Sequence, residues 1–276
     1  MKKIYFLLFV NFLTLSVGAQ ISSNKLFNNL KEPTKSAGVP TVTLFGSGGL
    51  KFLIGDTTES MQPATGSIGA SFIVENETEI AFGVSINSFN EKEINSSAEY
   101  GSELMAPDLS GVSGSLSIIK YFKGDASSLY GINIEGIIAS SKWRLDSSIV
   151  YNSAPYSIKA AIIYAPFKSL AQRSRLNNYC NIYFAFGIIG KGVLGDIVNN
   201  SDDRSAYFGT EKTFFVGVEP GVNLIINDTR VFVQIPIIFG KTKIDGLTGG
   251  QPIIGVVTNG KLWDFPASNN IPIEKY

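Results

Sequence analysis

From Glu79 to Asn87 the chain alternates without a break. Ile80, Phe82, Val84 and Ile86 are apolar, and Ala81, Gly83, Ser85 and Asn87 between them are small or polar. A period of two sends one set to each face of a β-strand. The preceding stretch repeats the pattern, with Ile68, Ala70, Phe72 and Val74 set against Ser67, Gly69 and Ser71. The polar run Glu75-Asn76-Glu77-Thr78 between them reads as a hairpin connection. Apolar faces must match across a hairpin, because a slip of one residue inverts every side chain. The expected register places Phe72 opposite Phe82 and Val74 opposite Ile80, with Asn76, Glu77 and Thr78 as the loop.

The same rule marks ten strands, at about 41–54, 66–74, 79–88, 112–122, 129–139, 156–165, 179–189, 213–226, 229–240 and 252–263. The links after strands two, four and eight are short (75–78, 123–128 and 227–228), and Asn227-Asp228 suits a tight hairpin. The link 166–178 is of middle length, and the links 89–111, 140–155, 190–212 and 241–251 are long. Short turns at one rim and long loops at the other belong to a membrane barrel; a soluble sandwich has no reason to sort its connections so. The expected fold is all-β, a single antiparallel up-and-down transmembrane β-barrel of about ten strands over residues 41–265.

The N-terminus supports export. Lys2 and Lys3 form a basic head, Ile4 to Val17 is an apolar run broken only by Asn11 and Thr14, and Gly18 and Ala19 supply small residues before Gln20. These are the parts of a cleaved secretory signal peptide, residues 1–19. Residues 20–40 are a polar lead-in with one expected helical turn around Leu26 to Leu30. Charged residues are only 17% of the chain and hydrophobic residues 44%, where a typical soluble domain carries about 25% charged residues. Beyond the signal peptide no segment reads as a membrane helix. A membrane chain without such helices must close a barrel, since lipid cannot satisfy backbone N–H and C=O groups.

In this arrangement of strands and connections the chain resembles bacterial outer-membrane β-barrel proteins over about residues 41–265. The resemblance is architectural and names no subfamily. It implies the cell outer membrane of a Gram-negative bacterium as location, and its bilayer and the barrel-insertion machinery as partners. Many such proteins end their last strand on a terminal aromatic residue. Here Tyr276 is terminal, but residues 266–276 hold Pro266, Pro272 and Ser268-Asn269-Asn270. Either Trp263 and Phe265 end the barrel and 266–276 is a tail, or the last strand lies elsewhere.

The chain contains no histidine. That removes Ser-His-Asp and Cys-His nucleophilic sites, which need an imidazole base, and makes a conventional zinc site improbable. Histidine-dependent barrel enzymes are excluded with them, and no catalytic residue, cofactor or metal site is expected. Asp202-Asp203 is an acidic doublet in a Ser/Asn-rich segment and reads as a solvated loop tip rather than a weak calcium site. Cys180 stands alone, so no intramolecular disulfide is possible, and it shares an apolar face with Ile182, Phe184 and Phe186. Gly187 to Gly192 lacks the spacing of a phosphate loop and reads, like Gly46, Gly48 and Gly49, as barrel glycine. The sequons at Asn76, Asn95, Asn199 and Asn227 report turn chemistry. The 23 basic and 23 acidic side chains give no hint of nucleic acid.

Polar residues on the inner faces are the candidate site: Asn133, Glu135, Lys159, Glu219, Asn223 and Gln234. Their plain role is to fill a narrow lumen with a hydrogen-bonded plug; conduction or ligand selection is the alternative. Glu135 and Lys159 lie at similar depth on adjacent antiparallel strands, so an ion pair or shared network is expected, with Glu219 beside it. The expected lipid-facing set is Ile80, Phe82, Val84, Ile132, Ile134, Ile162, Val216, Val218, Val233 and Ile235. Three functions follow in order: an outer-membrane barrel with a structural, adhesive or narrow-pore role whose long extracellular loops carry specificity for an unknown partner; a secreted or periplasmic soluble barrel binding an apolar ligand; and a carboxylate-based membrane enzyme. The second requires apolar inner faces and polar outer ones.

Overall fold

The structure, a computed structural model, describes residues 41–53, 65–74, 78–86, 92–93, 104, 107, 111–123, 129–146, 149–166, 180–226, 229–240, 244 and 247–266. The signal peptide, the lead-in and the tail beyond Pro266 lie outside the described residues. In chain order the strands are β1 (Thr41–Leu53), β2 (Thr65–Val74), β3 (Thr78–Ile86), β4 (Lys92–Glu93), β5 (Val112–Lys123), β6 (Leu129–Asp146), β7 (Ile149–Ala165), β8 (Cys180–Gly195), β9 (Phe214–Ile226), β10 (Thr229–Gln234), β11 (Ile237–Ile238), β12 (Gly249–Gly250) and β13 (Ile253–Pro266). One α-helix, α1 (Ser201–Phe208), follows a short 3-10 turn, Asp196–Asn199, between β8 and β9.

The long strands pair antiparallel in sequence order, β1 with β2, β2 with β3, β3 with β5 and on through β9 with β10. β13 then joins β10 to β1, with Thr229 opposite Thr258 on one side and Thr41 opposite Pro266 on the other. The cycle of pairings closes, so among the described residues no long strand is left with an unpaired edge. β13 ends at Pro266 with Trp263 and Phe265 inside its ladder to β1. β9 and β10 meet through a two-residue link, Ile226 facing Thr229. Cys180 opens β8 in register with Ile226.

The alternation seen in the sequence sorts inside from outside. On β3, Glu79, Ala81, Gly83 and Ser85 are buried while Phe82, Val84 and Ile86 are exposed. Exposure reaches 48% for Phe82 and 63% for Ile162, against 1% for Glu79. Every residue of the expected lipid-facing set points outward: Phe82, Val84, Ile132, Ile134, Ile162, Val216 and Val233 are exposed, and Ile80, Val218 and Ile235 are half-buried.

Four expectations need correction. In the first hairpin Phe72 faces Ile80 and Phe82 faces Ala70, two residues from the expected register. The even residue sum holds, and the rings of Phe72 and Phe82 still stack diagonally on one face at 5.9 Å. Matching faces cannot distinguish registers that differ by two, and the pairing of Val74 with Thr78 moves the three-residue loop to 75–77. Second, 140–155 is not a loop: β6 and β7 continue as a hairpin with only two residues, 147–148, between them and an irregular register near the tip. Third, 190–212 carries β8 on to Gly195, then the 3-10 turn and α1, so Asp202-Asp203 is the first helical turn rather than a loop tip. Fourth, the ninth strand is interrupted at Ile235-Pro236, because proline has no N–H for a ladder. β10 stops at Gln234, and β11 resumes against β9 and β12.

Candidate functional site

The lumen is layered along the barrel axis. At mid-depth Glu135 on β6 stands in direct register with Lys159 on β7. Lys159 Nζ donates to Glu219 Oε1 at 2.9 Å and lies 3.8 Å from Glu135 Oε2. One ammonium thus sits between two carboxylates, all three side chains about one-tenth exposed. Glu219 belongs to β9, so this bridge must cross β8. Gly187 is the residue crossed, in register with Ala161 on one side and Glu219 on the other. A Cβ on Gly187 would come within 2.8 Å of the Ala160 carbonyl oxygen and of Ala161 Cβ. Gly187 thus lets β7 and β8 approach closely at the level of Glu219.

Toward the short-turn rim lies a cavity of about 30 Å³ lined by Ser117, Asn133, Glu135, Lys159, Tyr183, Asn223, Arg230 and Gln234, with Ile119, Ile163 and Ala185 completing the wall. Five of the six candidate residues line it, and Glu219 joins through Lys159. Ser117 Oγ donates to Asn133 Oδ1 at 3.1 Å. Three polar members were not foreseen: Ser117, Tyr183 and Arg230. Arg230 donates to Tyr183 Oη at 3.3 Å and holds its guanidinium 4.8 Å over the Phe232 ring. The signal for Arg230 was available, since it alternates with Val231 and Val233 just as the recognised lumen residues do.

Acids and bases balance in the lumen. Glu79, Glu135 and Glu219 face Lys159, Lys191 and Arg230, three of each sign among the described inward side chains. The walls differ in bulk: serines (Ser67, Ser71, Ser85, Ser113 and Ser117) recur on β2, β3 and β5 alongside Glu79 and Ile119, and β6 to β10 present mostly longer side chains. Ser85 and Ser113 join hydroxyl to hydroxyl across β3 and β5.

Toward the long-loop rim the lumen turns apolar. Trp143, Ile189, Val193, Ile197, Phe215 and Ile238 form one buried cluster with Leu104, Ile244 and Leu247 from the loops. This cluster begins beside the ion triad, since Ile189 is the register partner of Lys159, and runs from there toward the long-loop rim. Around it the β6–β7 hairpin and α1 build a raised lip. Asn200 caps α1 by accepting from the Asp203 N–H, and its Nδ2 donates to Asp203 Oδ2 and to Tyr151 Oη. Tyr151 also bonds Asp203, and Arg204 donates to the carbonyls of Ile197, Val198 and Glu211. Gly209 ends the helix at φ 67°, the left-handed conformation glycine adopts freely.

On the outer surface, Tyr130 stacks on Tyr164 near the short-turn rim at 4.9 Å, and Tyr156 stacks on Phe214 further up at 6.3 Å. Tyr164 and Tyr156 are eight residues apart on β7. With strands tilted as in membrane barrels, that spacing is about 20 Å along the axis. Ile158, Ala160 and Ile162 fill the interval.

No family model matches the chain, and no curated protein matches it in sequence. Among solved structures it is similar to the N-terminal β-barrel domain of Pseudomonas aeruginosa OprF, at 8% identity and a TM-score of 0.30, covering 80% of this chain and 97% of that one. It is similar to the β domain of the Bordetella autotransporter BrkA, at 8% identity and TM-score 0.33, covering 81% and 99%. It is also similar to Ail, the attachment invasion locus protein of Yersinia pestis, at 9% identity and TM-score 0.23, covering 81% and 99%. All three are bacterial outer-membrane β-barrels.

Proposed function

We propose that this chain is an outer-membrane β-barrel of ten membrane strands whose lumen is stoppered, and that it acts through its raised lip, as a structural or adhesive surface protein rather than a pore. One observation carries the membrane reading: the barrel is apolar outside and polar inside. Ile68, Ile162 and Ile188 are 63–68% exposed on the outer wall, while Glu79, Asn223 and Arg230 are at most 5% exposed within. Water would not sustain such an outer wall on a monomer, whereas a bilayer requires it. The soluble alternative needs the inverse arrangement. Two aromatic levels about 20 Å apart fit the interfacial girdles of a membrane barrel.

The stoppered reading rests on the triad and on the apolar cluster that begins beside it. Ions do not cross a dry plug of Trp143, Ile189, Val193 and Leu247. The lip is the part left free to meet a partner, and its geometry is held by Asn200, Tyr151, Asp203 and Arg204. Export, insertion by the barrel machinery and the outer membrane itself belong to the same proposal; no enzymatic role is part of it. The test is membrane fractionation with an unheated gel, followed by reconstitution into planar bilayers. The expected result is outer-membrane recovery, a mobility shift on boiling and no unitary conductance. Recovery in the soluble fraction overturns the membrane reading; stable conductance steps overturn the stopper.

A further inference from the structure

On its long-loop side the ion triad adjoins the apolar cluster of Trp143, Ile189, Val193 and Leu247, with Lys191 buried on the same inward face of β8. Below the triad lies the cavity of about 30 Å³ bounded chiefly by polar side chains. A water needs about 10–15 Å³ of such space and two to four polar partners. Asn223 is 2% exposed, and its Oδ1 finds no hydrogen-bond donor among the described residues. A buried carbonyl oxygen without a donor is costly, and the usual remedy is an ordered water.

We infer that this chamber is a built hydration site, holding about two resident waters that donate to Asn223 Oδ1 and link it to the Lys159 and Arg230 side of the lumen. Charge selects water over an ion. Lys159 and Arg230 are matched by Glu135 on the wall and by Glu219 bonded to Lys159, two bases against two acids, so the chamber offers no net field for a cation or an anion. Hydration would end at the triad: Ile189, the register partner of Lys159, already belongs to the apolar cluster. The inference concerns the lumen alone and stands apart from the proposed role of the lip.

The site can be read through non-exchangeable protons. Ile119, Ile163 and Ala185 carry methyl groups on the chamber wall; Ile189, Val193 and Leu247 carry them in the plug. In methyl-labelled protein folded in micelles, with folding checked by the unheated gel, water-to-methyl Overhauser peaks are expected at the first group and absent at the second. Asn223→Leu should abolish the chamber peaks, and Asn223→Ser, which supplies a hydroxyl acceptor in place of the amide oxygen and enlarges the space, should retain them. Absence of chamber peaks in the unaltered protein overturns the inference, as do equal peaks in chamber and plug. A saturable shift of the Asn223 amide signals on adding sodium chloride, sodium bromide or rubidium chloride at matched ionic strength would make this an ion site instead.

Discussion

Lys159→Met tests the lumen most directly. The substitution keeps the length of the side chain and removes its charge, so little cavity forms. Glu135 and Glu219, in a site of about one-tenth exposure, then lose the ammonium they share. Breaking a buried pair by removing one partner typically destabilises by about 3–5 kcal/mol, because the stranded charge stays desolvated. Here two carboxylates lose the same ammonium, which places the expectation at the upper part of that range, around 4–5 kcal/mol, moderated by the adjoining polar chamber. The triple variant Lys159→Met, Glu135→Gln, Glu219→Gln removes all three charges together and should lie within about 2 kcal/mol of the unaltered protein. The two acids should also differ. Glu219 accepts a hydrogen bond at 2.9 Å, whereas Glu135 lies at 3.8 Å, so Glu219→Gln should destabilise more than Glu135→Gln. The assay is equilibrium urea unfolding in lipid vesicles, followed by tryptophan fluorescence and gel mobility, with the singles and the triple assembled into a cycle. If Lys159→Met costs no more than the triple, the three residues are not coupled and the reasoning fails.

Val84→Arg places a charge on the lipid face at mid-strand and should cost about 2–4 kcal/mol in vesicle unfolding; a neutral result would contradict the outward assignment of β3. Gly187→Ala adds a Cβ at 2.8 Å from the Ala160 carbonyl oxygen and Ala161 Cβ, and overpacking of this kind should cost about 1–3 kcal/mol in vesicle unfolding, a neutral result contradicting the close β7–β8 approach. Asn200→Ala removes the helix cap and the Tyr151 link, for which about 0.5–2 kcal/mol of local stability is expected, read as faster hydrogen exchange over 197–208 with the barrel strands unchanged. Trp143→Ala hollows the apolar stopper at an expected cost of about 3–5 kcal/mol, and it should raise ion leakage in planar bilayers if that cluster is what seals the lumen.

Much of this fold was legible along the chain because a closed sheet with an apolar outer face and a largely polar inner one writes its inside and outside into alternate residues. The pattern Ile80, Phe82, Val84 against Ala81, Gly83, Ser85 needs no partner to be read, and its faces are those of the structure. The same local rule assigned Asn133, Glu135, Lys159, Glu219, Asn223 and Gln234 to the lumen. The turn chemistry of α1 was also present in the sequence, with Asn200 ahead of Asp202-Asp203 and Gly209 at the end, but it was taken for a loop because the segment is polar. Other features are not local. A shift of two residues preserves every face, so alternation could not choose Ile80 over Phe82 as the partner of Phe72. Beyond the outer Tyr156–Phe214 pair the sequence no longer alternates, which is why the β6–β7 hairpin around Trp143 and Tyr151 was not legible as strand. The bond from Lys159 to Glu219 across β8, and the meeting of Leu104, Ile244 and Leu247 on Trp143, join residues far apart in sequence. Alternation decides which way a side chain points; only the closed pairing of the strands decides what it finds there.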